Sequence, residues 1–345
     1  MLGPAPLRLH LDNDTLVANW RWLAGRNAAA ECGAAVKADG YGLGAREVVA
    51  RLAAAGCRDF FTATWAEAAA LGALPEGARL AVLHGVRSED MVDSLASAAR
   101  PVLNSVEQVA RWRDAGGGVC DVMVDTGMNR LGLTIEQAMG GALDGLEVDT
   151  LMSHLACADE PDHPLNARQR DAFRALCDAV AARRYSLANS AGILLGQDYA
   201  FDLTRPGIAL YGGVPVPAAT GIRAVAAIEA QILQVRSVGA GAYVGYGATW
   251  QAPDDARIAI LNLGYADGYM RLFAPGAYAM AGDRRVPVVG RISMDLIAVD
   301  VTNVAVGEGD WLGLDFDLQT LSARSGLSQY ELLTGLNNRF ERRWI

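Results

Sequence analysis

Along the first two thirds of the chain, short apolar runs alternate with longer segments whose apolar residues recur every three or four positions. The runs at 34–37, 59–64, 79–84, 101–104, 120–125, 148–155, 185–190 and within 201–212 read as strands. The segments between them read as helices. AREVVARLAAAG at 45–56 ends at a glycine, and Ser88 stands where the helix at 88–99 would take its N-cap. The strands are almost continuously apolar, as in a parallel sheet covered on both faces. Eight strand–helix repeats predict an α/β fold, a (β/α)8 TIM barrel over residues 1–221. An open doubly wound sheet is the competing layout.

After Gly221 the rhythm changes. The stretches at 239–250, 256–269 and 276–301 are short strands broken by Gly, Pro and Asp. They predict a mostly antiparallel β C-terminal domain over 222–345, with the first ten or so residues of the chain free to pack with it. No low-complexity linker separates the halves, so close packing is expected rather than free swinging.

Composition narrows the function. The 345 residues are 52% hydrophobic and carry a net charge of -9, without a segment rich in Lys or Arg. That argues against nucleic acid or an acidic membrane as a partner. No apolar run approaches the ~20 residues of a membrane-spanning helix, and the first residues lack a secretory apolar region. Five cysteines without a CxxC pair suggest reduced thiols and a cytoplasmic protein. Four histidines without HExxH spacing give no support to a metal site.

The polar exceptions gather at the predicted C-terminal ends of the barrel strands: Lys37, His84, the run at 125–130, His154, Asn189 with Ser190, and 205–208. That is the face on which barrel enzymes build their sites. Lys37 ends an apolar strand. The ordinary reading is a salt-bridged or snorkelling lysine. The chemical one is a Schiff-base lysine, its amine lowered in pKa by burial. Tyr41 and Ser190 offer hydroxyls nearby in the predicted barrel, and Gly207 and Ile208 offer backbone N–H groups. A reactive lysine beside such a phosphate cradle is what pyridoxal 5'-phosphate requires.

With these residues in view, AVKADGYGLGA at 35–45 resembles the cofactor-lysine signature of the alanine racemases. The resemblance continues in order through DTGMNRLG at 125–132, SHLACADE at 153–160, ANSAG at 188–192, RPGIALYG at 205–212, GYADGYMR at 264–271 and VGRISMD at 289–295. It implies a pyridoxal-phosphate barrel followed by a β domain, a homodimer with composite sites, and interconversion of L- and D-alanine for cell-wall synthesis or alanine catabolism. By the same resemblance, Lys37 carries the cofactor and serves one face of the substrate. Tyr265, supplied across the dimer interface, serves the other. Tyr41, His154, Asn189, Ser190, Arg205, Gly207 and Ile208 are expected around the cofactor, with Arg130 and the Met294 backbone N–H on the substrate carboxylate. Tyr269 and Arg271 are expected to pack at the subunit interface, and His84 to be a satisfied core or rim histidine.

Two positions depart from the family pattern. Where some members carry a carbamylated lysine that braces the substrate arginine, this chain has Met123, which leaves Asn129 or an anion to brace Arg130. Where many have a phosphate-binding tyrosine near the C-terminus, it has the smaller Asn338. A wider pocket gives the alternative of a broad-specificity or serine/alanine racemase. A non-catalytic pyridoxal-phosphate-binding protein and an amino-acid decarboxylase are the remaining readings.

Overall fold

In a computed structural model, which describes residues 5–345, the chain divides into two compact units. One runs Leu16–Arg223. The other joins the segment up to Thr15 with Ala224–Ile345.

The first unit is built on parallel strands. Strand one lies in two pieces, Glu31–Cys32 and Ala34–Ala35, and is followed by Asp59–Thr62, Arg79–Val82, Arg100–Leu103, Cys120–Met123, Val148–Met152, Arg184–Ser186 and Leu203–Thr204. Each of the first six pairs in parallel with the next. The eighth pairs with Glu31–Cys32 on one side. On its other side the Asp202 N–H donates to Tyr185 O and the Arg205 N–H to Ala188 O, at 3.0 and 2.8 Å. The ring therefore closes as a barrel rather than opening as a doubly wound sheet. Ala34, Phe60, Val82, Val102, Val122 and Leu151 are fully buried along it, which is why these strands read as apolar runs.

The intervening helices begin where the sequence supplies caps. Thr64 and Ser105 accept the N–H of Glu67 and Gln108 at the starts of Trp65–Leu71 and Val106–Asp114. Ser88 does not cap. The Asp90 carboxylate accepts the Arg87 N–H at 3.0 Å instead, because the Arg87 guanidinium holds it there at 2.6 and 2.9 Å, and 88–90 forms a 3-10 turn.

The second unit is organised by one long strand, Ala226–Val238. Its first half pairs with Leu7–Leu11 and Trp311–Leu314, and its second half with Ala256–Leu261. A register shift between Ile232 and Gln234 bends it between the two sets of partners. From Trp311–Leu314 the pairing passes through Tyr278–Ala281, Arg284–Val289 and Ile297–Asp300 to Ala256–Leu261, which closes a six-stranded antiparallel ring. Glu341–Trp344 adds to Leu7–Leu11, so the first and last described strands are neighbours in this sheet. Tyr269 belongs to the core of this unit, not to a surface. It is fully buried and meets Phe273 edge-to-face at 5.3 Å.

Among the described residues, no helix is long and apolar enough to cross a membrane.

Candidate active site

The barrel site starts at the end of strand one. After Lys37 the backbone makes a left-handed turn, with φ of 52° at Ala38 and Asp39, 63° at Gly40 and 55° at Tyr41. Three of these residues carry a Cβ, and left-handed backbone costs each about 1–2 kcal/mol. The neighbours hold the turn. Glu67 accepts the Ala38 N–H at 2.9 Å and the Ala63 N–H at 2.7 Å, and Asp39 accepts the Ala45 N–H at 2.8 Å. The turn sets Tyr41 inward, where it is buried and stacks on Tyr211 with ring centroids 4.6 Å apart.

Tyr41 reaches the segment after strand eight. A Cβ on Gly207 would lie 2.1 Å from the Tyr41 hydroxyl oxygen, so only glycine fits there. Ser190 Oγ accepts the N–H groups of Gly207 and Ala209 at 2.9 and 3.3 Å, and the Ile208 N–H between them has no partner among the described residues. Two hydroxyls and a backbone N–H thus converge on a spot cleared of side chain, a set of donors suited to a phosphate. Asn189 braces the turn by accepting the Gly192 N–H at 2.8 Å.

Electrostatics gathers the remaining barrel residues. Lys37 keeps solvent contact at the strand end, yet surrounding protein removes enough water from its amine to lower its pKa. Arg130 lowers it further, and Glu67 opposes both. His154 is depressed to about 3 by burial, with Arg205, Arg130 and Lys37 each pushing the same way. It is therefore neutral at physiological pH. Arg205 is buried in the barrel, and burial lowers its guanidinium to about 10 against a weaker pull from Asp121. Its Nη1 donates to Ser186 Oγ and its Nη2 to Ser153 O, while Nε makes no hydrogen bond with the described residues. Three cations thus surround one neutral histidine. Such a field calls for an anionic ligand.

Arg130 stands in a loop wound around the Asp125 carboxylate, which accepts the N–H groups of Gly127, Met128 and Arg130 at 2.7–2.9 Å. Burial would raise the Asp125 pKa, but these bonds outweigh it and hold it below the usual range. Met123 lies in the barrel core, and the Arg130 guanidinium has no hydrogen bond or ion pair among the described residues. Asn129 therefore does not brace it.

In the β unit, Tyr265 and Met294 are brought together. The Tyr265 N–H donates to Ser293 O and the Ala266 N–H to Met294 O, both at 3.0 Å. The strands of backbone are so close that a Cβ on Gly264 would lie 2.2 Å from Met294 O. The Arg271 guanidinium lies 5.0 Å from the centroid of the Tyr265 ring. Below the turn, Asp267 accepts the Gly264 N–H at 2.9 Å, and Arg339 bridges Asp267 and Asp295 at 2.7 Å each. Asn338 is exposed. His84 sits at the barrel rim with its Nε2 unsatisfied, 3.5 Å from Asp90, so it is not the satisfied histidine expected.

Asp125, Glu67, Gln169 and Arg339 were not singled out by the sequence. Asp125 alone left a signal there, as the first residue of a Gly- and Asn-containing loop.

Comparison with known proteins follows this geometry. The family profile described as "Alanine racemase, N-terminal domain" matches residues 11–215, and "Alanine racemase, C-terminal domain" matches 225–344. The alanine racemase of Rhodospirillum rubrum is 44% identical over 97% of this chain and 95% of its own length. That of Acidiphilium cryptum is 43% identical over 97% of each. The crystal structure of alanine racemase from Bartonella henselae, with covalently bound pyridoxal phosphate, superposes with a TM-score of 0.90 at 36% identity, over 99% of this chain and 100% of that one. Both profiles, and relatives of this identity matched along nearly their whole length, place the chain in the alanine racemase family.

Proposed function

We propose that the chain is a pyridoxal-phosphate-dependent alanine racemase acting as a homodimer, with the barrel of one subunit and the β unit of the other forming each site. One observation carries the reading: the Lys37 amine, lowered in pKa, in a field shared with Arg130 and Arg205, in the barrel that builds the Tyr41–Ser190–Gly207 cradle. The cradle is shaped for the cofactor phosphate. When bound, the cofactor supplies an electron-accepting ring that stabilises negative charge at the substrate α-carbon.

The chain's own groups do the rest. Racemisation removes the α-proton from one face and returns a proton to the other. A single base fixed on one face does not serve both. Lys37 Nζ takes or gives the proton on the first face, and its lowered pKa raises the fraction able to accept it. Tyr265 Oη serves the second face from the partner subunit, on a turn held against the Met294 segment. Arg130 and the Met294 N–H receive the substrate carboxylate, for which a guanidinium is well suited. Arg205 stays protonated near neutral pH and only donates, so its Nε is suited to an acceptor nitrogen on the cofactor ring. His154, neutral, supplies no charge there.

The test is direct. Purified protein loaded with pyridoxal phosphate is given L-alanine, then D-alanine, and the enantiomers are separated by chiral chromatography. Both reactions are expected to end at a racemic mixture. Lys37→Ala is expected to lose at least about 10³-fold in rate. No conversion from either side would refute the reading.

A further inference from the structure

Gln169 lies on the long helix Pro164–Ala179 and is fully buried. A buried amide is costly unless its hydrogen bonds are made. Here all of them go to the ends of strands five and six. Oε1 accepts the Ala156 N–H at 2.9 Å. Nε2 donates to His154 O at 2.9 Å and, more weakly, to Thr126 Oγ1 at 3.4 Å. The partners fix which way the amide faces, because an N–H can only donate and a carbonyl can only accept.

The bonds continue inward. Thr126 Oγ1 is 2.8 Å from Ser153 Oγ, and Ser153 O accepts from Arg205 Nη2 at 2.5 Å. One side chain thus grips the backbone at His154 and Ala156, and a short relay from it reaches Arg205. Asn166, one turn earlier on the same helix, is also buried, but its Nδ2 donates to Cys157 O and Glu160 O, both at 3.0 Å. It holds the next stretch of the loop and touches neither the His154 backbone nor the relay.

We propose that Gln169 is a positioning residue that holds His154 and Arg205 in one fixed geometry, and so aligns the groups that face the cofactor ring. The inference rests on the racemase reading for what those groups face. Gln169 touches neither cofactor nor substrate and acts through the backbone it clamps. Misplacing such groups by about an ångström is enough to cost up to ~10²-fold in rate.

The experiment compares cofactor-loaded wild type with Gln169→Leu, Gln169→Glu and Asn166→Leu. Leu removes every bond. Glu keeps the acceptor for Ala156 but turns a carboxylate oxygen toward His154 O. Three readouts are taken: the absorption band of the bound cofactor, the dissociation constant of pyridoxal phosphate by titration, and kcat and KM for alanine. Both Gln169 variants are expected to shift the band, weaken cofactor binding by about 10-fold and lower kcat by at least 10-fold, with KM changed less than about threefold. Asn166→Leu is expected to lower the melting temperature but keep the wild-type band and kcat. If Gln169→Leu does not fold, Gln169→Glu carries the test. The inference fails if folded Gln169 variants keep the wild-type band and kcat, or if Asn166→Leu reproduces their losses. A wild type that binds the cofactor but racemises nothing, with the Gln169 variants still shifting the band, would sink the racemase reading and leave the positioning role standing.

Discussion

The contact between Tyr41 and Gly207 shows how one residue sets what the barrel mouth can hold. Their approach leaves no room for a Cβ, and the same glycine presents its N–H to Ser190. Gly207→Ala is therefore expected to push Tyr41 off its stack on Tyr211 and open the phosphate cradle. Overpacking of this kind costs about 1–3 kcal/mol of stability. Cofactor affinity should fall by about 10-fold or more, since one RT ln 10 step is ~1.4 kcal/mol. Titrating pyridoxal phosphate by absorbance checks this, and an unchanged dissociation constant would remove Gly207 from the cradle. At this scale the sequence was readable wherever a polar residue ended an apolar run. Lys37, Ser190 and Arg205 stood out for that reason. The left-handed turn did not, because Ala38, Asp39 and Tyr41 carry no local sign of it and depend on Glu67, nearly thirty residues away, to hold the first N–H. Gln169 was hidden for another reason. A glutamine among the charged residues of a helix reads as solvent-facing, and only the fold turns it inward.

At the scale of elements, the opposite end of the barrel strands carries a network of alternating charge. Arg184, at the start of strand seven, donates to Glu31 at 2.6 Å, to Asp59 at 3.0 and 3.1 Å and to Asp149 at 2.8 Å. Arg79 adds bonds to Asp59 at 2.7 and 2.9 Å, and Arg100 lies 3.1 Å from Asp149. Burial alone would raise the carboxyls of Asp59 and Asp149, but the arginines outweigh it and lower both. A carboxyl lowered on folding adds stability that is complete above its unfolded value of ~4 and is lost as pH falls through the folded value. Arg184→Met leaves Asp59 and Asp149 short of charge compensation and is expected to cost about 3–5 kcal/mol near pH 7. The gap from wild type should narrow toward pH 4 as these carboxyls protonate. Asp121 runs the other way. Burial pushes it up to about 6, with Arg100 opposing and Asp149 reinforcing, so its contribution weakens as pH rises toward that value. Arg184 also opposes that rise, so its loss raises Asp121 further and narrows the gap toward acid in the same direction. Urea denaturation across this pH range decides the matter, and a gap that widens toward acid would contradict the network. The strands themselves were legible as eight apolar runs. The network was not, because one charged residue near the start of each of the first seven strands looks ordinary until the fold brings them together. The β unit was legible in kind, from its Gly-broken short strands. Its ring closure was not, since the bend at Ile232–Gln234 has no signature beyond an uninterrupted run of strand-forming residues.

At the scale of the whole molecule, the proposed site needs two chains, and that requirement yields the sharpest test. Lys37 and Arg130 belong to the Leu16–Arg223 unit, and Tyr265 and Met294 to the unit containing Ala224–Ile345. If each site draws its barrel from one subunit and its β unit from the other, two inactive variants repair each other. In a mixed dimer of Lys37→Ala with Tyr265→Phe, one site combines both defects. The other combines the intact barrel of the Tyr265→Phe chain with the intact β unit of the Lys37→Ala chain. Random reassociation of equal amounts makes half the dimers mixed, each with one intact site of two, so activity should return to about a quarter of wild type. The variants are unfolded together and refolded with pyridoxal phosphate. Racemisation is compared with each variant refolded alone, and the oligomer size is measured by light scattering. Sites formed within one chain give no recovery, because no chain in the mixture carries both intact residues. A recovered quarter would fix Tyr265 as the partner's contribution and show why a lysine and a tyrosine in separate units of one chain work on opposite faces of one substrate.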